Sequence, residues 1–106
     1  MIKNNELIIG AARFSGIYGI KNNKSILSTK KIKKIIKLSK KNKILSIDTA
    51  ISYKNANNIL GKIGINDFIV NSKLPLLDFK NKKLEKNIEN MIIKHINILK
   101  IKKLNI

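Results

Sequence analysis

The chain has 106 residues, a formal net charge of +17 at pH 7 and a hydrophobic content of 43%, which suits one small domain with a single core. It has no cysteine, and this excludes disulfides, thiolate catalysis and cysteine-ligated zinc. Its apolar runs are shorter than the ~20 residues that span a bilayer. Residues 1–6 also lack the apolar segment of a signal peptide. We therefore expect a cytoplasmic protein without a membrane segment.

The positive charge has two explanations. Lysine, isoleucine and asparagine occur 22, 23 and 15 times, and their codons are built mainly from A and T, so genome composition alone would produce many lysines. The single arginine favours this explanation, because arginine suits phosphate and base recognition better than lysine does. We expect no specific nucleic acid partner, and a small basic nucleic-acid-binding protein remains the alternative function.

Three short apolar runs, each ending in polar or turn residues, are typical of buried parallel strands. They occupy residues 6–14, 43–50 and 67–75. The segment "KIKKLNI" at the end of the chain resembles a connection followed by the first residues of a fourth strand.

Helical patterns lie between and after these runs. Residues 29–42 form the first, with Ser28 and Thr29 as candidate N-caps, and residues 55–63 form the second, ended by Gly64. The third covers about 81–99. Alternating strands and helices predict a parallel sheet with right-handed crossovers, as in a doubly wound sheet or a (β/α) barrel.

Asp48 ends the second apolar run, Tyr53 follows it in the next loop or helix start, and Lys73 ends the third run. All three should lie at the edge where parallel α/β folds carry their chemistry. An ammonium beside a phenol favours the phenolate, and a carboxylate beside the ammonium keeps it charged and oriented. Such a proton donor suits a carbonyl that accepts hydride. The alternative is structural: Asp48 caps the following helix, Tyr53 covers the rim and Lys73 is one lysine among 22.

Three segments resemble the N-terminal part of the aldo/keto reductases. "SIDTAISYKNANNILG" (46–61) resembles the family's D-T-A-x-x-Y-G-x-(S/N)-E-x-x-(L/V)-G, although "ANN" replaces the usual Ser-Glu. "LIIGAARFSGIYGI" (7–20) resembles the first-strand segment L-G-T-A-Q-F-G-x-x-Y-G-I of one bacterial branch, and "IVNSKLP" (69–75) resembles the third strand. The three segments occur in the family's order with family-like spacing.

The resemblance implies a role for each matching residue. Tyr53 would be the general acid, Lys73 would favour its phenolate, and Asp48 would form a salt bridge with Lys73. Gly10 would let the first strand approach the nicotinamide closely, and Asp48 would also contact the cofactor. The implied reaction is reversible hydride transfer between NADPH, or NADH, and a small aldehyde or ketone substrate, without a metal.

The resemblance also implies a (β/α)8 TIM barrel, which takes about 250 residues. We therefore expect residues 1–106 to be a partial NADP-dependent oxidoreductase domain, an N-terminal fragment with about three βα units and the start of a fourth strand, truncated before that strand is complete. The family's catalytic histidine would follow Ile106, whereas His95 lies on the apolar stripe of the last helix and should be packed.

Four functional expectations follow. The chain belongs to an enzyme by family resemblance, but the 106 residues alone should be inactive. Unpaired strand edges of a partial barrel should favour self-association. A non-catalytic scaffold that kept the fold and lost the chemistry is a further alternative.

Overall fold

The computed structural model describes residues 7–15 and 27–106. Within these ranges strands and helices alternate, as the sequence predicts. The elements are β1 (Ile9–Gly10), a 3₁₀ helix (Ala12–Ser15), α1 (Thr29–Lys41), β2 (Ser46–Asp48), α2 (Lys54–Ile63), β3 (Ile69–Asn71) and α3 (Leu84–Leu99). None of these helices is long and apolar enough to cross a membrane.

The three strands form one parallel sheet in the order β1, β2, β3. Ile9, Ile47 and Val70 are register partners, and the last two are 0% and 1% exposed because they pack into the core. Side chains alternate between the faces of a sheet, so the next row points to the opposite face. In this row Gly10 and Asp48 are exposed and Asn71 is half-buried. One face of the sheet therefore carries the core and the other is open.

The chain returns to the sheet after α3. Asn105 forms a parallel bridge with Asn71: its N–H donates to the carbonyl of Val70 at 2.9 Å, and its carbonyl accepts from the N–H of Ser72 at 2.8 Å. A further parallel pairing therefore begins beside β3, where the sequence predicts the start of a fourth strand.

The observed strands are shorter than the apolar runs that predict them, since each paired segment has only two or three residues. An apolar run indicates that its residues are buried, whereas a strand also requires backbone hydrogen bonds to a neighbouring strand. Thr49 and Ala50 are buried although they lie beyond the last residue of β2.

Helix α3 begins at Leu84 instead of about residue 81 because polar side chains form turns before it. Asp78 Oδ1 accepts from the N–H of Lys80 at 3.0 Å, and Asn81 Oδ1 accepts from the N–H of Lys83 at 2.9 Å. Such local bonds compete with helical hydrogen bonds.

Helix α1 shows the expected division into an apolar and a polar face. Ser28 is the N-cap, and its hydroxyl accepts from the N–H of Lys31 at 3.2 Å, as one of the two candidate caps was predicted to do. Ile32 and Ile36 are 0% and 3% exposed and pack into the core, while the lysines face outward.

Helices α2 and α3 meet at Gly61. A Cβ on this residue would overlap the carbonyl oxygen of Ile98, so the helices approach each other only because glycine occupies the position. The final glycine of the segment 46–61 is thus explained by packing. Gly64 ends α2 with a φ of 94°, a conformation that favours glycine.

Candidate functional site

Two of the predicted site residues lie around the connection from β2 to α2. Asp48 is the last residue of β2, and Tyr53 precedes α2 as its N-cap without a side-chain capping bond. The N–H of Tyr53 donates to the carbonyl of Ala50 at 3.0 Å, and its carbonyl accepts from the N–H of Asn57 at 2.9 Å. Tyr53 is therefore tied through its backbone to both the turn and the helix.

Lys73, just beyond β3, brings the predicted residues together. Its Nζ lies 3.2 Å from Asp48 Oδ2 and 3.2 Å from the carbonyl oxygen of Thr49, to which it donates. The same nitrogen is 5.6 Å from the centroid of the Tyr53 ring. Asp48 pairs with this ammonium and does not cap α2, since Tyr53 holds the cap position.

Main-chain bonds fix the two loops relative to each other. The N–H of Thr49 donates to the carbonyl of Asn71 at 2.8 Å, and the N–H of Ile51 donates to the carbonyl of Lys73 at 3.1 Å. These bonds continue the β2 to β3 pairing beyond the strands. The distance between Tyr53 and Lys73 is thus set by backbone contacts as well as by flexible side chains.

The ion pair contributes little to folding. The side chains of Lys73 and Asp48 are 52% and 51% exposed, and exposed ion pairs typically stabilise a protein by about 0 to 1 kcal/mol. The Tyr53 ring is half-buried, and a cation near such a ring adds about 0.5 to 2 kcal/mol. Removing the pair should therefore leave the fold in place, which makes it suitable for testing function separately from stability.

A buried polar network supports the Tyr53 loop. Thr49 Oγ1 donates to Asn57 Oδ1 at 2.7 Å, and Asn57 Nδ2 donates to the carbonyl of Ala50 at 2.9 Å. Both side chains are almost fully buried. The sequence did not predict this role for Asn57, which lies in the "ANN" that replaces the family's usual Ser-Glu. The sequence did carry one signal for burial of Asn57. It lies three residues before the core residue Leu60, a spacing that places both on the inward face of α2.

Gly10 pairs with Asp48 across the sheet. A Cβ at this position would meet no described atom within 4 Å, and the residue is exposed. A flat ring could lie against the strand here. The strand therefore leaves open space beside Asp48, at the same edge as the Tyr53 and Lys73 loops.

His95 lies on the other side of the sheet, within the helix layer. It is 2% exposed, and its Nε2 is 2.8 Å from Ser72 Oγ, so it is packed, as the sequence predicts. Burial removes water from the imidazole and lowers the pKa of His95 from its ordinary value of 6.5. Across residues 7–15 and 27–106, no three histidine, aspartate or glutamate side chains are grouped as a metal site.

The comparisons with known proteins support the fold. No family model matches the chain, and no curated protein matches its sequence. The structure is similar to that of a proposed aldo-keto reductase from Pseudomonas aeruginosa, with a TM-score of 0.70 and 18% sequence identity. The similarity covers 92% of this chain but 39% of that protein. At this identity the likeness shows the fold alone, and this chain spans about two fifths of the length of that protein.

Proposed function

We propose that this chain carries part of the active site of an NAD(P)H-dependent carbonyl reductase of the aldo/keto reductase type. The observation that carries the proposal is the position of the Lys73 ammonium, which contacts the Asp48 carboxylate and lies beside the Tyr53 ring. The shared fold with a proposed aldo-keto reductase and the three resembling sequence segments support it.

The chemistry follows from the charges. When a carbonyl carbon accepts hydride, negative charge develops on its oxygen, and a positioned proton donor lowers the barrier. Tyr53 donates this proton. Lys73 stabilises the phenolate that remains, and Asp48 holds the ammonium in place.

The bound cofactor would supply the hydride, and NADPH is proposed on the resemblance, with NADH as the other candidate. Gly10 would hold the nicotinamide end, because it offers backbone without a side chain beside Asp48. Substrate selection is not assigned to residues of this chain. Since the chain spans 39% of the similar protein, we expect the isolated 106 residues to lack saturable NADPH binding and reductase activity.

A chimera tests the proposal. Residues 1–106 replace the corresponding part of the similar Pseudomonas aeruginosa protein, and NADPH oxidation is followed at 340 nm with a panel of small aldehydes. We expect Tyr53→Phe to lower kcat by about 10²-fold or more, because general acid catalysis typically contributes 10²- to 10⁴-fold. Bound NADPH, measured by fluorescence, should be retained.

Lys54 provides a matched control for Lys73. Both are exposed lysines near Tyr53, but only Lys73 contacts Asp48 and the Tyr53 ring in the described structure. Lys73→Met should lower kcat in the chimera, whereas Lys54→Met should leave kcat within about twofold. A folded chimera that binds NADPH and turns over equally well with Tyr53→Phe would refute the proposed role.

A further inference from the structure

Lysine makes up a larger share of the exposed residues in α1 than in α2, where it accounts for two of four, or in α3. Nine of its residues are exposed and seven of these are lysine, whereas α3 has eight exposed residues of which two are lysine. The exposed positions of α3 instead include three asparagines and two glutamates. Genome composition acts on both helices equally, so it does not explain why lysine is concentrated on α1.

The charges on α1 are largely uncompensated. The helix contains no acidic residue, and among residues 7–15 and 27–106 only one of its lysines, Lys40, has a carboxylate partner, Asp67. Like charges recur four residues apart, for example at Lys33 and Lys37, and such pairs destabilise a helix. Lys30 and Lys31 lie in the first turn, where the helix dipole also disfavours positive charge.

We propose that α1 binds the phosphate backbone of nucleic acid without sequence specificity. The 13-residue helix presents a cationic surface about 20 Å long, which can follow several successive phosphates. An anionic backbone would relieve the repulsion between the lysines and release its own counterions. Because α1 has no arginine to pair with base edges, we expect its lysines to contact phosphates as point charges without reading the base sequence. This inference does not depend on the proposed reductase function.

A membrane surface fits α1 less well. Helices that lie in a membrane interface insert an apolar face, but the apolar face of α1 is already occupied: Ile32 and Ile36 are buried in the protein core. Leu38 is the single large apolar side chain among the exposed residues of α1. An acidic protein also fits less well, because protein interfaces depend on buried apolar or aromatic anchors.

Fluorescence anisotropy with a labelled 20-base-pair DNA duplex tests the proposal on the 106-residue chain. Binding is measured from 50 to 300 mM KCl for the natural chain and two variants of equal net charge. The α1 variant changes four lysines to glutamine: Lys30, Lys33, Lys34 and Lys37. The control variant makes the same change at four exposed lysines outside α1: Lys83, Lys86, Lys94 and Lys102.

We expect the α1 variant to bind at least about tenfold more weakly at 100 mM salt, with a log K against log salt slope shallower by about 3 to 4. The control variant should stay within about threefold of the natural chain. Circular dichroism confirms that both variants remain helical. Equal weakening of both variants would overturn the proposal, because binding would then follow net charge alone.

Two further results would also overturn it. One is the absence of salt-sensitive binding by the natural chain at 50 mM KCl. The other is tighter binding to phosphatidylserine vesicles than to DNA at equal phosphate concentration, with the same dependence on the four α1 lysines, which would identify α1 as a membrane-binding surface.

Discussion

Asn57 is the residue on which the geometry of the Tyr53 loop most depends. Its amide accepts from Thr49 and donates to the carbonyl of Ala50 in the interior. Asn57→Ala would leave the buried Thr49 hydroxyl without its partner and would remove one bond to the Ala50 carbonyl, which keeps its bond from the Tyr53 N–H. Such losses destabilise a protein by about 1 to 3 kcal/mol. We expect the free energy of unfolding, measured by urea denaturation, to fall by about that amount.

The neighbouring Asn58 supplies the control for this prediction. It is exposed, so Asn58→Ala should change the free energy of unfolding by no more than about 0.5 kcal/mol. If the two substitutions had equal effects, the network around Asn57 would not be holding the loop.

The buried side chain of His95 should make the free energy of unfolding depend on pH. Burial lowers its pKa in the folded state from 6.5, so the unfolded chain binds a proton more readily than the folded chain does. Its contribution to stability is therefore complete above about pH 6.5 and decreases as the pH falls towards the lower folded-state pKa. Urea denaturation between pH 8 and 5 should show this decrease.

His95 is the only histidine in the chain, so a single variant isolates its effect. His95→Gln should be less stable at pH 8, because it alters a buried contact with Ser72, but its stability should vary less between pH 6.5 and 5.5. A variant with the same slope as the natural chain would assign the pH dependence to other groups.

At the level of elements, the contact between α2 and α3 leaves no room for a side chain at position 61. Gly61→Ala would place a methyl group against the backbone at Ile98, where no side chain can rotate away. Forcing the helices apart should lower the free energy of unfolding by about 1 to 3 kcal/mol or more. Thermal or urea unfolding measures the change.

Gly10→Ala is the matched comparison. Its Cβ would meet no described atom within 4 Å, so unfolding of the isolated chain should be nearly unchanged. The same methyl group would stand where the proposed nicotinamide lies, and in the chimera it should weaken NADPH binding. A destabilised Gly10→Ala protein with unaltered cofactor binding would contradict the proposed role of Gly10.

At the level of the whole molecule, the sheet has one open face. Parallel sheets are normally covered on both faces, yet Ile69 is 56% exposed on the face opposite Val70. Exposed apolar strand residues favour association. We expect the chain to self-associate, and analytical ultracentrifugation in 0.5 M salt, which screens the net charge of +17, should show mass increasing with concentration.

Ile69→Lys should weaken this association, while Leu76→Lys serves as the control. Leu76 is also exposed but lies in the connection between β3 and α3, away from the sheet. Both substitutions should leave stability within about 0.5 kcal/mol. Equal loss of association in the two variants would indicate an effect of charge instead of the open sheet face.

Much of this architecture follows from local patterns. The alternation of short apolar runs with amphipathic segments depends on side-chain spacing, and it predicts the order of β1 to α3, the cap at Ser28 and the end of α2 at Gly64. The sequence also predicts that Asp48, Tyr53 and Lys73 lie close together, because parallel strands bring their carboxyl ends to one edge of the sheet. Their catalytic roles are a prediction that the chimera tests.

Other features depend on contacts between segments that are distant in the chain. Periodicity does not show that Gly61 faces a backbone carbonyl 37 positions later, or that Asn57 is enclosed with Thr49. It also does not show that Lys40 reaches Asp67, whereas the pair of Lys73 with Asp48 was expected from the resemblance. The amino-acid sequence by itself determined the elements and the candidate residues, since both are encoded in local spacing. Tertiary structure decided the contacts of Gly61, Asn57 and Lys40, because these depend on how closely the packed segments approach one another.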